Sequence, residues 1–310
     1  MKVVEITRYG SPSVLQVTDS ARPDPARGQL RVRVRAAGVG PWDALIREGK
    51  SGIAQALPLI VGSDIAGTVD AVGAEVSGFS VGDEVYGLTN GQFTGGYAEY
   101  ALAAASSMAR KPQSLSFIQA ASAPVVTVTA WQMLFDYAHA VAGQKALILG
   151  AAGNVGAYAV QIARNAGLEV IGTASSDDLE YVRQLGASTV IDYRKNRFED
   201  LVRDIDIVLD MVGGDTRVRS IGVLKRGGVL VSVVSSPMPT DIAEKAGVKA
   251  VFFFVDVTTA RLNLITEMFD SKKLVPQVGT VLPLTDAKTA HEMLAGAPHA
   301  RGKIVLNVAA

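Results

Sequence analysis

A group of closely spaced glycines at the end of an apolar run has the residue types and spacing of a phosphate-binding turn. The run KALILGAAGNVGAYAVQIAR contains Gly150, Gly153 and Gly156, which stand three residues apart. Such glycines allow a tight exit from a strand, close approach of the backbone to a pyrophosphate, and close packing of helix on strand. A helix starting near Asn154 and Val155 would aim its free backbone N–H groups at that anion. We therefore predict a dinucleotide site, with a glycine turn that binds nothing as the alternative.

The end of the next predicted strand bears on which dinucleotide binds. Folds that select NAD carry an Asp or Glu about 20 residues after the glycines, where it binds the ribose hydroxyls. This strand ends instead in Ser175 and Ser176, which leave room for a 2′-phosphate and offer hydroxyls to it. Tyr193 and Arg194 follow the next predicted strand, where a cation could reach that phosphate. We predict NADPH rather than NADH as the cofactor.

Other charged residues near this position have two interpretations. Asp177 and Asp178 would weaken the preference for NADPH if either faced the phosphate, and their alternative role is the first helical turn behind a Ser N-cap. Arg194, Lys195 and Arg197 could bind phosphate or simply form a solvated loop. The sequence alone does not choose between these roles.

The elements before the glycine turn are predicted to be short antiparallel strands. The segment LRVRVRAAGV at 30–39 alternates apolar with basic residues, as a partly solvated strand does. Six glycines recur every four to six residues, which is typical of turns and bends between short strands: Gly62, Gly67, Gly73, Gly78, Gly82 and Gly87. The N-terminal third is therefore predicted to be a β-rich barrel or sandwich.

From about residue 115 the pattern changes to helices alternating with strands. Short β-rich runs are expected at 145–150, 169–174, 189–193, 206–212 and 228–234. This alternation predicts an α/β domain, a doubly wound parallel sheet with helices on both faces. The tail reverts to strand, helix and strand, and could return to the first domain. We expect the two domains to pack with a cleft between them.

Composition excludes several classes of function. The 30 Lys and Arg residues balance 30 Asp and Glu residues, so no overall field favours nucleic acid or an anionic membrane. The chain has no Cys and only 3 His, which excludes disulfides, thiolate zinc sites and iron–sulfur clusters and disfavours a His-rich metal site. It also lacks a signal-peptide pattern and an apolar run of roughly 18 residues, so we expect a cytoplasmic protein.

Several ordered motifs along essentially the whole chain resemble one family. AAGVGPWDALIREGK, PLIVGSDIAGTVDAVG, GGYAEY, VTAWQMLF, the glycine turn and ARGKIVLNV look like landmarks of the zinc-independent medium-chain dehydrogenase/reductases of the quinone oxidoreductase or zeta-crystallin type. The resemblance implies a split GroES-like β-barrel catalytic domain at 1–118 and 273–310. It also implies a Rossmann domain that binds NADP at 119–272.

Departures from related branches bear on the catalytic site. The zinc-dependent branch would place Cys at Gly40 and a His-Glu pair at Ser63 and Asp64, so the resemblance implies a site without zinc. Quinone reductases usually carry Asn at the Gly40 position. Here Trp42 is predicted to wall the pocket by stacking on a flat acceptor, with a buried core tryptophan as the alternative.

Matching to the family also implies further site residues. Asp43 matches the cleft aspartate, with a turn residue after Pro as the alternative. Thr129 matches a position that lines the nicotinamide pocket, with simple packing as the alternative. The remaining matched positions, where backbone groups or a basic side chain would approach the cofactor, are Val234, Ser235, Phe253 to Val255, and Lys303.

These observations leave three functional hypotheses. The leading hypothesis is an NADPH-dependent oxidoreductase that transfers a hydride to a quinone, for which a weak proton donor is sufficient. The second is a reductase of α,β-unsaturated carbonyls or enoyl thioesters, and the third is a sensor or structural protein that binds NADPH without turnover. The resemblance further implies a homodimer, formed through an apolar sheet edge at 252–257 with sequence FFFVDV, unless that strand is buried within one subunit.

Overall fold

The computed structural model describes residues 1–52, 55–235 and 237–308. The chain divides into two compact units: Met1–Val125 with Val257–Ala310 is the first unit, and Val126–Asp256 is the second unit. The strands, in chain order, are β1 (Lys2–Ile6), β2 (Gln16–Asp19), β3 (Gln29–Val39), β4 (Leu59–Ile60), β5 (Asp64–Val72), β6 (Glu84–Leu88), β7 (Tyr100–Ala104), β8 (Met108–Arg110), β9 (Lys145–Leu149), β10 (Glu169–Ala174), β11 (Thr189–Asp192), β12 (Ile205–Asp210), β13 (Leu224–Ser232), β14 (Lys249–Phe252), β15 (Val278–Pro283) and β16 (Lys303–Asn307). The helices are α1 (Pro41–Arg47), α2 (Phe117–Ala121), α3 (Pro124–Trp131), α4 (Asn154–Asn165), α5 (Leu179–Leu185), α6 (Phe198–Leu201), α7 (Gly214–Ile221), α8 (Thr240–Ala246), α9 (Thr259–Asp270) and α10 (Ala287–Leu294).

The first unit is built mainly on antiparallel strands, as the alternating N-terminal pattern predicts. In β3 the side chains of Val32 and Val34 are buried while Arg33 between them is exposed. β3 pairs with β5, β7 and β16 in a seven-stranded sheet of order β15-β16-β3-β5-β6-β8, and β1 lies at the centre of a smaller sheet of order β2-β1-β4. Because β15 and β16 belong to the larger sheet, the C-terminal tail returns to the first unit.

Two of the six glycines expected in turns lie inside strands instead. Gly67 is in β5 and Gly87 is in β6. A Cβ on Gly67 would lie 2.2 Å from the carbonyl oxygen of Arg33 in β3. The prediction that these two glycines mark turns is therefore wrong, because close approach of a neighbouring backbone also requires glycine within a strand.

The second boundary of the inserted unit differs from the one expected from the sequence. The sequence places α9 in the inserted domain, which it ends at residue 272, whereas the compact second unit ends at Asp256. The Tyr86 hydroxyl donates to the Leu262 carbonyl at 2.8 Å, and the Thr259 hydroxyl donates to the carbonyl of Met108 at 2.8 Å. These bonds attach α9 to β6 and β8 of the first unit.

The second unit is the parallel α/β sheet that the alternating pattern predicts. Its six strands have the order β11-β10-β9-β12-β13-β14, and every neighbouring pair is parallel. Four of the five residues of β9 are buried, as expected for a strand covered by helices on both faces. The order reverses between β9 and β12, and ligands of such sheets bind at that switch point, beyond the carboxyl ends of the strands.

The sheet edge expected to form a dimer is shorter than the apolar segment suggests. β14 is the edge strand and ends at Phe252, so most of FFFVDV lies beyond the strand. Phe253 is buried and stacks on Tyr137 with 4.3 Å between ring centroids, whereas Phe254 is 79% exposed. Within the described part of the chain, no helix combines the length and apolarity needed to cross a membrane.

Candidate cofactor and substrate sites

The glycine turn between β9 and α4 has backbone packing that only glycine permits. Gly150 has a φ of 77°, and its carbonyl oxygen would lie 2.2 Å from a Cβ on Gly156. The Gly153 N–H donates to the same carbonyl at 3.0 Å. Because Gly156 has no side chain, α4 starts directly behind the end of β9, as the spacing of the three glycines predicts.

The first turn of α4 is free to bind an anion. Gly153 is the N-cap, and no side chain caps this helix, which begins at Asn154 and Val155. The N–H groups of a first helical turn have no partners within the helix. Thr173 at the end of β10 fixes the preceding loop, since its hydroxyl accepts from the Gly150 N–H at 3.1 Å. This arrangement fits the pyrophosphate of a dinucleotide.

The turn lies at the switch point of the sheet. The side chain of Val212, just after β12, is 3.3 Å from the position of a Cβ on Gly150. Val212 is 51% exposed, although it is apolar. The ends of β9 and β12 therefore present a glycine backbone and an exposed apolar side chain side by side, where this class of sheet receives its ligand.

The two serines predicted to bind a 2′-phosphate already donate their hydroxyl protons to carboxylates. Ser175 donates to Asp178 Oδ2 at 2.7 Å, and Ser176 donates to Asp192 Oδ2 at 2.5 Å. Ser175 also makes no side-chain bond to the backbone of the following turn, so it is not an N-cap of the usual kind. A phosphate offers only acceptors, so these hydroxyls would have to exchange partners to bind it.

Asp192 is a functional candidate that spacing along one strand cannot identify. It ends β11 opposite Ala174, the last residue of β10, so it reaches the place where an acidic residue at the end of β10 would stand. The bond from the Ser176 hydroxyl is the largest cause that lowers the pKa of Asp192, which is therefore ionised at neutral pH. Asp192 is identified by the register between the parallel strands β10 and β11, which only the tertiary structure gives.

The cations after β11 are exposed and weakly paired. Arg194 Nη1 lies 3.5 Å from Asp177 and is 56% exposed, and Lys195 Nζ lies 3.6 Å from Asp192 and is 71% exposed. Tyr193 beside them is also exposed. Exposed ion pairs of this kind contribute little to stability, so an incoming phosphate can compete for both cations.

The positions matched to the nicotinamide end are distributed over three segments of the second unit. Val234 and Ser235 follow β13, and Thr129 is buried in α3. Phe253 packs its ring on Tyr137, so its backbone groups and not its ring remain available to a ligand. The roles of these residues toward a cofactor stay predictions.

In the first unit, Trp42 takes the space that a side chain at position 40 would need. A Cβ on Gly40 would lie 2.4 Å from the indole of Trp42. The indole N–H donates to Ser63 Oγ at 3.1 Å, and Phe93 meets the ring edge-on at 6.3 Å between centroids. Trp42 is half-buried, so its ring is both held in place and partly open.

The residues at the positions of zinc ligands do not fit a metal ion. Asp64 Oδ2 faces the Lys303 ammonium at 3.2 Å, and Lys303 is 1% exposed with its Nζ 4.1 Å from the Trp42 ring centroid. A cation already stands beside the only carboxylate there, and Gly40 and Ser63 provide no imidazole or thiolate. Among the described residues, no group of three or more His, Asp or Glu side chains is placed to hold a metal.

Asp43 lies wholly inside the first unit, where it caps α1. Its Oδ2 accepts from the Gly40 N–H at 2.8 Å and from the Tyr97 hydroxyl at 3.1 Å. Tyr97 Oη lies 3.4 Å from His291 Nε2, and His291 Nδ1 lies 2.9 Å from Arg47 Nη1. Since Arg47 can only donate, Nδ1 of the neutral His291 imidazole accepts and Nε2 carries the proton. In this hydrogen-bonded network Arg47 thus donates to His291, His291 to Tyr97, and Tyr97 to Asp43.

Within this hydrogen-bonded network, the pKa of Asp43 and the pKa of His291 shift in opposite directions from their ordinary values. Burial raises the pKa of Asp43 to about 7, against the stabilising bond from Gly40. Burial and the Arg47 charge lower the pKa of His291 to about 3. Sequence reasoning singled out Asp43 but missed its partner Tyr97 and the onward contacts to His291 and Arg47, because Tyr97 and His291 lie far from Asp43 along the sequence.

The fold and the glycine turn define a dinucleotide-binding protein of the medium-chain dehydrogenase class. A family described as zinc-binding dehydrogenase matches residues 185–306, and the alcohol dehydrogenase GroES-like domain matches residues 26–113. The chain is 33% identical to a quinone oxidoreductase of Pongo abelii, over 99% of this chain and 97% of that protein. It thus belongs to the quinone oxidoreductase family, and the family, the GroES-like domain and the Rossmann domain predicted from its motifs are confirmed.

Solved structures show the same likeness. The quinone oxidoreductase from Coxiella burnetii superposes with a TM-score of 0.93 at 32% identity, covering 99% of each chain. The Escherichia coli quinone oxidoreductase complexed with NADPH superposes with a TM-score of 0.87 at 26% identity, covering 98% of this chain and 100% of that one.

Proposed function

We propose that this protein is an oxidoreductase that transfers a hydride from NADPH to a quinone. The observation that carries the proposal is the turn at the switch point, where Gly150 and Gly156 leave room for a pyrophosphate. NADPH supplies the hydride when it is bound, so the protein has to hold and orient two flat molecules. The names of the similar proteins support a quinone as the acceptor.

The cofactor preference rests on the cations after β11. Arg194, Lys195 and Tyr193 are exposed and would bind the 2′-phosphate, while Ser175 and Ser176 would contribute after exchanging their carboxylate partners. The similar Escherichia coli protein is complexed with NADPH, which supports this choice. The α4 N-terminus would hold the pyrophosphate, and the backbone from Val234 to Ser235 and from Phe253 to Val255 would hold the nicotinamide amide.

On the acceptor side, Trp42 presents a flat aromatic surface. Ser63 and Lys303 hold its indole in position, and stacking on a planar quinone suits such a surface. Asp43 acts as a positioning residue for α1 and hence for Trp42, since it has no exposed surface of its own. Thr129 would line the nicotinamide pocket. Hydride addition to a quinone yields a stabilised hydroquinone anion, so water or a weak donor can complete protonation.

The reaction is proposed to proceed without zinc, in a cytoplasmic homodimer. The Lys303 ammonium beside Asp64 supports the absence of zinc, and the Cys-free composition suits a reducing compartment. The exposed Phe254 beside the edge strand β14 supports a dimer contact at that edge.

The decisive experiment measures NADPH and NADH oxidation by absorbance with purified protein and excess EDTA. The acceptor panel is 1,4-benzoquinone, 9,10-phenanthrenequinone, a small enone and crotonyl-CoA. Rapid turnover of quinones, slower with NADH and insensitive to EDTA, is the expected result. Turnover of the enone or thioester alone would move the assignment to those substrates. Tight NADPH binding without turnover of any acceptor would instead indicate a sensor or structural protein.

A further inference from the structure

A buried arginine joins the two loops that follow β12 and β13. Arg217, on α7, is fully buried, and its Nε donates to Asp210 Oδ2 at 2.7 Å. Its Nη2 donates to the carbonyl oxygen of Val234 at 2.7 Å. One guanidinium thus binds the end of β12 and the loop after β13 at the same time, which its planar fork makes possible.

Asp210 in turn organises the backbone around it. Its Oδ1 accepts from the N–H groups of Val212 at 2.9 Å and Gly213 at 2.7 Å. Its Oδ2 accepts from the Ser232 hydroxyl at 2.7 Å in addition to Arg217. The donors that this buried carboxylate needs therefore come from the loop after β12, from α7 and from the end of β13.

The two loops also touch directly at a glycine. Gly213 has a φ of 77°, and a Cβ there would lie 2.9 Å from Val234 Cγ1 and 3.3 Å from Arg217 Nη2. No larger residue could stand at position 213 without displacing Val234 or the guanidinium. The carbonyl direction of Val234 is consequently set by packing on one side and by Arg217 on the other.

The place of these loops in the sheet indicates what they face. They lie at the carboxyl ends of β12 and β13, on one side of the switch point, whereas Ser176 and Asp192 lie on the other side. A dinucleotide that crosses the switch point puts one nucleoside on each side, and the residues that read the adenosine ribose follow the first two strands. The β12 and β13 loops therefore face the nicotinamide half.

We infer that Arg217 is a positioning residue for the nicotinamide half of the cofactor, acting through the Val234 carbonyl and the loop that carries it. The inference rests on the proposed function, because it presupposes that a nicotinamide dinucleotide binds here. Arg217 is buried, so it can act on a ligand only through the loops that it holds in place. Its removal should affect the nicotinamide half of the ligand and leave the adenosine half bound.

The test is Arg217→Lys, which keeps a positive charge for Asp210 but lacks the planar fork whose separate nitrogens bind Asp210 and Val234. Dissociation constants are measured for NADPH and for adenosine 2′,5′-bisphosphate, which lacks the nicotinamide half. We expect NADPH binding to weaken about tenfold or more, as for a lost charged hydrogen bond, with a matching fall in kcat. Binding of the bisphosphate should change by less than about twofold.

Two further variants keep the test decisive. Arg219→Lys changes an arginine of the same helix that binds Glu199 at the surface, and it should leave both affinities unchanged. Ser232→Ala removes one donor to Asp210 and should give the same selective loss at smaller size if Arg217→Lys does not fold. Equal losses for both ligands, or no loss, would overturn the inference alone. Failure of the unaltered protein to bind NADPH would overturn the proposed function, and the inference with it.

Discussion

The two units use buried charge in opposite ways. At the carboxyl edge of the second unit's sheet, Asp192 and Asp210 receive donors from loops that remain open to a ligand. Inside the first unit, Asp43 and Asp64 are enclosed, and each keeps one oxygen without a hydrogen-bond partner. The difference indicates that the second unit's carboxylates, which are themselves buried, organise the loops at the carboxyl edge of the sheet, whereas those of the first unit hold residues around Trp42.

The strongest test of this comparison is at the glycine turn. Gly156→Val would place side-chain atoms against the Gly150 carbonyl, which already lies 2.2 Å from the Cβ position. Because α4 must then move away from β9, we expect NADPH affinity to fall about tenfold to a hundredfold. Calorimetric titration with NADPH measures this change in the dissociation constant.

Gly91→Ala is the matched control for that variant. A Cβ there meets no atom within 4 Å, so the affinity should not change. An unchanged affinity in Gly156→Val, with the fold retained, would show that the turn does not hold the cofactor.

The next test concerns the packing of Trp42 on Gly40. Gly40→Asn introduces the side chain that the family resemblance leads us to expect at this position, but its Cβ would lie 2.4 Å from the indole. We expect a loss of about 1–3 kcal/mol in the free energy of unfolding, as for overpacking, together with lower quinone turnover. Chemical denaturation and steady-state kinetics measure the two effects.

The double variant Gly40→Asn with Trp42→Ala sharpens this prediction. Removing the indole leaves space for the asparagine, so the double variant should be more stable than the sum of the two single changes. Simple additivity would mean that the two positions do not compete for the same space.

The pH dependence of stability tests the buried hydrogen-bonded network of Asp43, Tyr97 and His291 in the first unit. Folding raises the pKa of Asp43 from 3.8 to about 7, so between these pH values the native state binds this proton more tightly than the unfolded state does. The free energy of unfolding therefore falls as pH rises from about 4 to about 7. Folding lowers the pKa of His291 from 6.5 to about 3, so its contribution is present at neutral pH and is lost as pH falls through that window. The two dependences oppose each other between about pH 4 and pH 6.5.

Single variants should separate the two contributions. Asp43→Asn should leave stability that rises with pH in this window, and His291→Gln should leave stability that falls. Denaturant unfolding at several pH values measures both slopes, which should differ by at most about 2.7 kcal/mol per pH unit. Identical slopes in the two variants would contradict the assigned network.

The smallest expected effect concerns cofactor choice at the open edge. Asp192→Asn removes a negative charge beside Ser176 and should raise the NADPH to NADH ratio of kcat/KM by about threefold to tenfold. Asp200→Asn, at an exposed carboxylate on α6, is the control and should leave the ratio unchanged. A ratio that falls in Asp192→Asn would show that this carboxylate does not oppose the phosphate.

Local pattern was sufficient to predict the secondary-structure elements and the glycine turn. Strand alternation in β3, the apolar run of β9 and the spacing of Gly150, Gly153 and Gly156 each depend on neighbours within a few residues. The order of domains along the chain also followed from the change of pattern near residue 115 and the return to strands in the tail. These features arise from periodicity and backbone sterics, which a short segment contains in full.

The positions of charged partners required the tertiary structure. Asp43 meets Tyr97, Tyr97 meets His291, Asp64 meets Lys303, and Ser176 meets Asp192, all across long separations along the sequence. The same holds for Gly67, whose missing side chain is explained by a neighbouring strand and not by a turn. Sequence alone determined that this chain carries a glycine turn between β-rich segments, and it predicted the ligand of that turn. Only the fold decided which charges are enclosed and which remain open, because burial and pairing depend on neighbours that spacing does not record.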